Sequence, residues 1–306
     1  MKVLVTGATG FVGREVLRQL GTAGYDAIVL ARNPDRARAQ LAGIPCPTVV
    51  RQGDVLDASS LCGAADGCEA VIHLVGIISE IGRQTFENVH FRATQNLIAE
   101  AKRAGVGRWV HMSALGVRPN ARSRYHQTKW AAEEVVRGSG LAWTIFRPSI
   151  IYGPEDHFVN LFAGMARLSP VLPVMGSGQS MLQPIPVTGV ARCFVGALTT
   201  PASVGKTFDV CGPAPLSFDG VVDAILEAMG RHRWKVHVPM ALARVQAALL
   251  EQIFPRLLRR APPLNRDQLM MLQEDNVGDG VPAARLFGFE MEPFAAEVAR
   301  YLQAKH

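Results

Sequence analysis

Three side chains near the middle of the chain carry reactive groups at a spacing that suits proton transfer. Ser113 lies in "HMSALG", directly after an apolar run, and "YHQTK" then places Tyr125 and Lys129 four residues apart. On a helix that spacing puts both on one face, where a lysine ammonium can lower the pKa of a phenol and bind a ribose hydroxyl while the phenol faces a substrate. A phenol tuned in this way protonates a forming alkoxide, or deprotonates an alcohol, during hydride transfer. Such chemistry needs a hydride carrier, and the N-terminus offers a place for one. "TGATGFVG" sets Gly7, Gly10 and Gly13 between an apolar run, Lys2 to Val5, and a helical pattern formed by Phe11, Val12, Val16, Leu17 and Leu20. Glycine lets a phosphate approach the main chain, and the helix N-terminus beyond presents free N–H groups and a partial positive charge. The spacing is GxxGxxG rather than GxGxxG, and a glycine triplet alone also suits a plain tight turn. The strand before it and the helix after it favour a pyrophosphate cradle.

The second strand bears on which nucleotide would sit there. In a dinucleotide fold an acid at its end holds the adenosine ribose hydroxyls, whereas a base accommodates a 2′-phosphate. Here it ends "VLARNPDRAR", with Arg32 where the acid would stand, Asn33 beside it, and Arg36 and Arg38 beyond. This reads as NADP(H) favoured over NAD(H); the blander alternative is a solvated helix start. "GDVLD" puts Asp54 at the end of the third strand, where a short acceptor could meet the adenine amino group or could cap a helix.

The elements that must position these residues alternate regularly. Strand patterns at Ala27 to Leu30, Thr48 to Arg51, Ala70 to Leu74, Arg108 to Met112 and Trp143 to Phe146 are separated by helical periodicity, as in Glu87 to Ala104 and Tyr125 to Val136. The expectation is an α/β fold: a doubly wound parallel (Rossmann) sheet with a smaller, mostly helical C-terminal domain. The dinucleotide-binding domain should span 1–155, with elements returning to it in about 183–212 ("QPIPVTGVARCFVGAL" and "KTFDVCG"), and 156–306 should form the smaller substrate or docking domain.

Composition narrows the class further. A chain of 306 residues, 48% hydrophobic and 19% charged, is that of an ordinary globular protein with ample core. No apolar run reaches the length of a membrane span and the chain starts at once with a core strand, so a cytoplasmic location is expected. Five scattered cysteines without a CxxC pair suggest buried free thiols, neither a disulfide framework nor a zinc site. A net charge of +6 suits an anionic ligand, an acidic partner or anionic lipid, while the absence of a basic run with interleaved aromatics speaks against nucleic acid. His73 in "VIHLVG" and His111 read as packed core residues, and "EDHF" at Glu155 to Phe158 as a helix start; no metal is implied.

With these motifs in hand, the sequence resembles the extended and atypical short-chain dehydrogenase/reductase superfamily. The matching pieces are "TGATGFVG", "GDVLD", "VIHLVG", "NVHFRATQNL", "YHQTKWAAEE", "FRPSIIYGP" and "PVTGVA". "HMSALGV", "RPSIIYGPEDHFVNLFA" and "LNRDQLMMLQEDNV" are more narrowly similar to the branch containing the NADPH-holding accessory subunit of respiratory complex I and its bacterial relatives. The resemblance implies a cofactor held by Gly7, Thr9, Gly10, Phe11, Val12 and Gly13 of the first motif, and by Arg32 and Asn33. It adds Asp54 and Val55 of the second motif and Leu74, Val75 and Gly76 of the third, then Lys129, with the Arg147, Pro148 and Ile150 stretch bordering the nicotinamide. It also implies Ser113, Tyr125 and Lys129 as the catalytic set. One departure stands out: the working hydroxyl in such enzymes is often the second of two adjacent Ser/Thr residues, and here the pair is Ser113 then Ala114.

Two functions follow. One is an NADP(H)-dependent oxidoreductase or epimerase acting on a small carbonyl or alcohol substrate; the other is a non-catalytic NADP(H)-holding accessory or assembly subunit of a complex I-like assembly. A further segment, 240–263 ("MALARVQAALLEQIFPRLLRRAPP"), lies outside anything a nucleotide fold needs. Leu242, Val245, Leu249 and Ile253 fall on one helical face, Pro255 is expected to end or kink the helix, and Arg256, Arg259 and Arg260 follow. Either this helix packs on its own domain, or it is a peripheral contact to the inner membrane or to a membrane-bound complex.

Overall fold

The computed structural model describes residues 1–258 and 260–303. β1 (Lys2–Thr6) leads through the glycine turn to α1 (Phe11–Thr22), β2 (Asp26–Ala31) to α2 (Pro34–Leu41), and β3 (Thr48–Gln52) to β4 (Ala70–His73). A π-helical turn over Glu87–Arg92 continues into α3 (Ala93–Arg103), followed by β5 (Arg108–Met112), α4 (Arg124–Arg137) and β6 (Ala142–Pro148). Then come β7 (Ile151–Tyr152), α5 (Phe158–Leu168), β8 (Val171–Met175), β9 (Met181–Leu182), β10 (Ile185–Pro186), α6 (Val187–Ala197) and β11 (Lys206–Val210). The chain continues with β12 (Leu216–Ser217), α7 (Phe218–Ala228), β13 (Trp234–Val238), α8 (Met240–Ile253), α9 (Arg266–Met271), α10 (Val281–Phe287) and α11 (Phe294–Gln303).

Seven strands make one sheet in the order β3-β2-β1-β4-β5-β6-β11. Every pair from β3 to β6 is parallel. Val3, Leu4 and Val5 of β1 are wholly buried, as are Val71 and Ile72 of β4, because helices cover both faces of such a sheet and its central strands meet no water. β2 and β3 lie on one side of β1, and the chain then crosses to β4 on the other, so the strand order reverses beside β1. Doubly wound sheets take their ligands at that crevice.

The chain divides into two compact units: Met1–Ala121, Tyr125–Arg147 and Thr188–Phe208 form the first, and Arg122–Arg124, Pro148–Val187 and Asp209 onward form the second. The division therefore falls at Arg147 rather than near 155, and the returning piece is α6 with the first residues of β11. The core of the second unit joins α5, β8, α7 and α11 through Phe162, Leu172, Val174, Phe218, Val222, Ile225, Phe294 and Val298. Its first helix starts where "EDHF" was expected to start one: Asp156 Oδ1 accepts the Val159 amide at 2.6 Å. Of the five thiols, Cys68, Cys193 and Cys211 are buried, but Cys62 is exposed and Cys46 half-buried, so the expectation of uniform burial fails for those two. Among the described residues no helix is long and apolar enough to cross a membrane.

Candidate functional site

The glycine turn after β1 is set by close backbone contacts. Gly7 has φ +77, and a Cβ there would stand 3.2 Å from the Leu74 carbonyl carbon and the Val75 amide nitrogen. Gly13, in the first turn of α1, presses on the turn from behind, where a Cβ would lie 2.3 Å from the Gly7 oxygen and 2.5 Å from Ala8 Cα. Only glycine lets strand, turn and helix nest this tightly. Gly10 is the N-cap of α1 and offers no side chain to its amides, so the first-turn N–H groups around Phe11 and Val12 are left for an anion.

A cavity of about 410 Å³ opens over this turn in the first unit. Its wall contains Gly7 and Thr9 from the turn, Arg32, Asn33 and Arg36 after β2, Asp54 and Val55 after β3, and Val75 and Gly76 after β4. Leu74 is buried behind that wall. Two of the polar side chains are already engaged. Asn33 Oδ1 accepts the Arg36 amide at 3.0 Å and caps α2, and Asp54 Oδ1 accepts the Leu56 amide at 3.0 Å, which closes a turn; the helical turn that follows is capped by Asp57, so Asp54 is not the helix cap the sequence also allowed. Arg32 and Arg36 are exposed at the cavity wall, and no carboxylate ends β2. The donor set of glycine amides and helix N-terminus fits the pyrophosphate of a dinucleotide, and two guanidinium groups stand on the same wall.

Lys129 reaches this wall from α4. It is almost wholly buried, its Nζ donates to the Met112 carbonyl at 2.9 Å, and a Cβ on Gly76 would come within 3.1 Å of that nitrogen. Gly76, a residue of the wall, thus leaves room for the ammonium behind it. Burial pushes Lys129 down to about 8, partly offset by the carboxylate of Glu133 one helical turn on. Tyr125 is half-buried, its ring edge-on to Phe86, His90 and His126. The expectation that lysine lowers its pKa is not met: burial pushes the phenol up to about 12. The Lys129 ammonium is instead committed to a backbone carbonyl.

Ser113 also differs from expectation. Its Oγ donates to Glu133 Oε1 at 2.5 Å, and that fully buried carboxylate further receives Arg147 at 2.8 and 2.6 Å and Arg137 at 2.6 Å. Trp130 lies beside both guanidinium groups, 4.9 Å from that of Arg137 and 5.8 Å from that of Arg147. The serine therefore anchors an ionic network beneath α4. Sequence reasoning missed Glu133, although "KWAAE" places an acid four residues after the lysine, on the same helical face. Pro148 and Ile150 belong to the second unit, outside the wall just described.

His73, at the end of β4, has Nδ1 2.6 Å from Thr6 Oγ1 and Nε2 3.3 Å from Thr94 Oγ1. Because Thr94 donates its own proton to the His90 carbonyl, at 2.6 Å, His73 must donate from Nε2 and accept at Nδ1. It is a neutral packing residue; burial lowers its pKa to about 3.

Comparison with known proteins sets this geometry in context. A family model described as NAD(P)H-binding matches residues 7–163. Among curated proteins, the chain is 29% identical to "NADH dehydrogenase [ubiquinone] 1 alpha subcomplex subunit 9, mitochondrial" of Arabidopsis thaliana, over 89% of this chain and 68% of that protein. It is 34% identical to the Mus musculus protein of the same name over 68% of this chain, and there the match spans 56% of the relative's length. It is also 36% identical to "Ceramide reductase" of Caulobacter vibrioides, over 65% of this chain and 61% of that protein. Among solved structures, UDP-glucose 4-epimerase of Thermotoga maritima superposes with a TM-score of 0.76 at 18% identity, covering 100% of this chain and 99% of that one, and shares the fold.

Proposed function

The chain belongs to the NAD(P)H-binding family, within the extended and atypical short-chain dehydrogenase/reductase superfamily, and on that premise we propose that it is an oxidoreductase or epimerase that holds NADP(H) in preference to NAD(H) and acts on a small carbonyl or alcohol substrate. The observation that carries this reading is the cavity wall, which combines the glycine turn, the two arginines after β2 and the glycine against which Lys129 rests. In this reading the first-turn amides of α1 bind the pyrophosphate, and Arg32 and Arg36 take the 2′-phosphate. Lys129 binds a ribose hydroxyl, Tyr125 gives or takes the substrate proton, and Pro148 and Ile150 border the nicotinamide. When bound, the nicotinamide supplies the place that donates or accepts a hydride.

A second reading, an NADP(H)-holding accessory subunit without turnover, is favoured by Ser113, whose hydroxyl is committed to Glu133 and is followed by Ala114, and by the names of the plant and mouse relatives. One set of measurements separates the two. The nucleotide released from purified protein is identified by mass, dissociation constants are compared for NADPH and NADH, and oxidation of NADPH is followed with a panel of carbonyl compounds. NADPH is expected to bind at least about tenfold more tightly than NADH, since a charge-assisted contact is worth that much, and Arg32→Asp to abolish most of the difference. Equal constants in the unaltered protein refute the preference. On any substrate turned over, Tyr125→Phe should lower turnover by about a hundred- to ten-thousand-fold at nearly unchanged nucleotide affinity; nucleotide retained without turnover on any carbonyl selects the accessory reading.

A further inference from the structure

α8 is built with its small residues inward and its large ones outward. Ala243 and Ala247 are its buried residues, packed with Leu269 of α9 and against Met175, Val238 and Leu264. On the opposite face Leu242, Val245, Leu249 and Ile253 follow one another at spacings of three and four, and Leu257 continues the row through a π-helical turn at Phe254–Leu258. All five are between 44% and 76% exposed. The α-helix ends at Ile253, two residues before Pro255, as the proline leads one to expect, but a wider π-helical turn takes the proline in and the stripe runs on, for about 22 Å. The helix does pack on its own unit, through its alanines, and the stripe takes no part in that packing.

The strand that feeds α8 adds to this surface. β13 pairs in parallel with β8, with Trp234 opposite Val171 and Val236 opposite Pro173. Lys235 and His237 turn to Asp223 and Asp219 on α7, so Trp234 and Val236, one residue out of phase, look the other way. Trp234 is 81% exposed. Since α8 rests its alanines on Met175 and Val238 of that same outer face, stripe and tryptophan look outward together.

Charge singles out the same segment. Residues 231–260 contain seven Lys or Arg (Arg231, Arg233, Lys235, Arg244, Arg256, Arg259, Arg260) and one acid, Glu251. That balance of +6 equals the net charge of the whole chain, so the remainder is neutral. Arg259 lies outside the described residues; Arg244, Arg256 and Arg260 are exposed, and Glu251 is tied to Arg266 at 2.8 Å.

We infer that this face of the second unit docks on an anionic lipid bilayer, with the α8 stripe and Trp234 at the boundary between headgroups and acyl chains and the arginines among the lipid phosphates. A convex row of aliphatic side chains, an interfacial tryptophan and flanking arginines is the chemistry by which a helix lies in a membrane surface without spanning it. The proposal is independent of the nucleotide reading.

The test is sedimentation of the full chain with vesicles of phosphatidylcholine alone or with about one part in four phosphatidylglycerol, at low and high salt. The unaltered chain should partition at least about tenfold more strongly to the anionic vesicles at low salt and lose that preference at high salt. Leu249→Asp with Ile253→Asp should abolish binding to both, whereas Arg256→Glu with Arg260→Glu should remove the preference for anionic lipid. Trp234 emission should shift to the blue on adding anionic vesicles, a shift absent in Trp234→Phe. All the substituted side chains are exposed, and thermal unfolding is expected unchanged. Protein that stays in the supernatant with both vesicle types overturns the proposal. So does a concentration-dependent dimer dispersed by Leu249→Asp with Ile253→Asp in the absence of vesicle binding, which would assign the face to a second copy of the chain.

Discussion

Glu133 is wholly buried one helical turn beyond Lys129, and it holds Ser113, Arg137 and Arg147 at once. The field of this carboxylate opposes the burial that drains the proton from Lys129. The lysine is charged below about 8 and loses its charge as the pH rises through that value. Nucleotide affinity should therefore weaken above that pH, where the ammonium no longer meets a ribose hydroxyl. Glu133→Gln keeps an acceptor for Ser113 but removes the negative charge, so the decline should begin at lower pH. Titrating the NADPH dissociation constant from about pH 6.5 to about 9.5 in both proteins checks this, and coincident profiles would deny Glu133 any part in tuning the lysine. The substitution should also cost about 1–3 kcal/mol of stability: it removes the buried carboxylate that Arg147 and Arg137 share, although Arg137 keeps Glu134 and the partial exposure of both arginines lets water screen part of the loss.

At the scale of an element, the pairing of β1 with α1 depends on a single missing methyl group. A Cβ at position 13 would sit within 2.7 Å of three backbone atoms of Gly7 and Ala8, none of which can swing aside as a side-chain tip could. Gly13→Ala should force α1 away from the turn, lowering stability by about 1–3 kcal/mol and weakening nucleotide binding more than stability alone would suggest. Denaturant unfolding and nucleotide titration on the same preparation test this, and an unchanged affinity would mean that the turn does not form the cradle. α2 shows the converse economy. Asn33 meets the requirement of its helix for a cap, while Arg32 and Arg36 stand beside it at the cavity wall.

Across the molecule, a row of buried imidazoles makes the fold sensitive to acid. His73, His90 and His111 all have pKa values lowered mainly by burial, His73 to about 3. The unfolded chain takes up these protons near the ordinary histidine value of 6.5, whereas the fold resists them. Stability should thus fall progressively as the pH drops below 6.5, and for His73 the loss continues down to about 3. His111 stands apart, because both its ring nitrogens are buried without a hydrogen-bond partner among the described residues. His111→Leu should raise stability by about 1 kcal/mol at neutral pH through removal of unsatisfied polar atoms, and by more at about pH 5, where the protonation penalty also disappears. Thermal unfolding of both proteins across that range checks the sign; a gain that does not grow toward acid would mean that His111 does not contribute to the acid sensitivity.

The sequence by itself determined what is local or periodic. The alternation of strand and helix, the glycine turn after β1, the four-residue spacing of Tyr125 and Lys129 and the absence of an acid after β2 are all properties of short windows, where side-chain period and backbone permission act directly. Tertiary structure decided what depends on distant partners. Ser113 meets Glu133 only because the end of β5 and the third turn of α4 are brought together. Tyr125 has a raised rather than lowered pKa because of burial, which no window of sequence reports. The stripe on α8 could have faced either way, since hydrophobic spacing fixes the faces of a helix but not which of them meets the core. The alanines packed against Val238 and Met175 settled that, because their small side chains let the helix approach closely, and the larger residues were left outside.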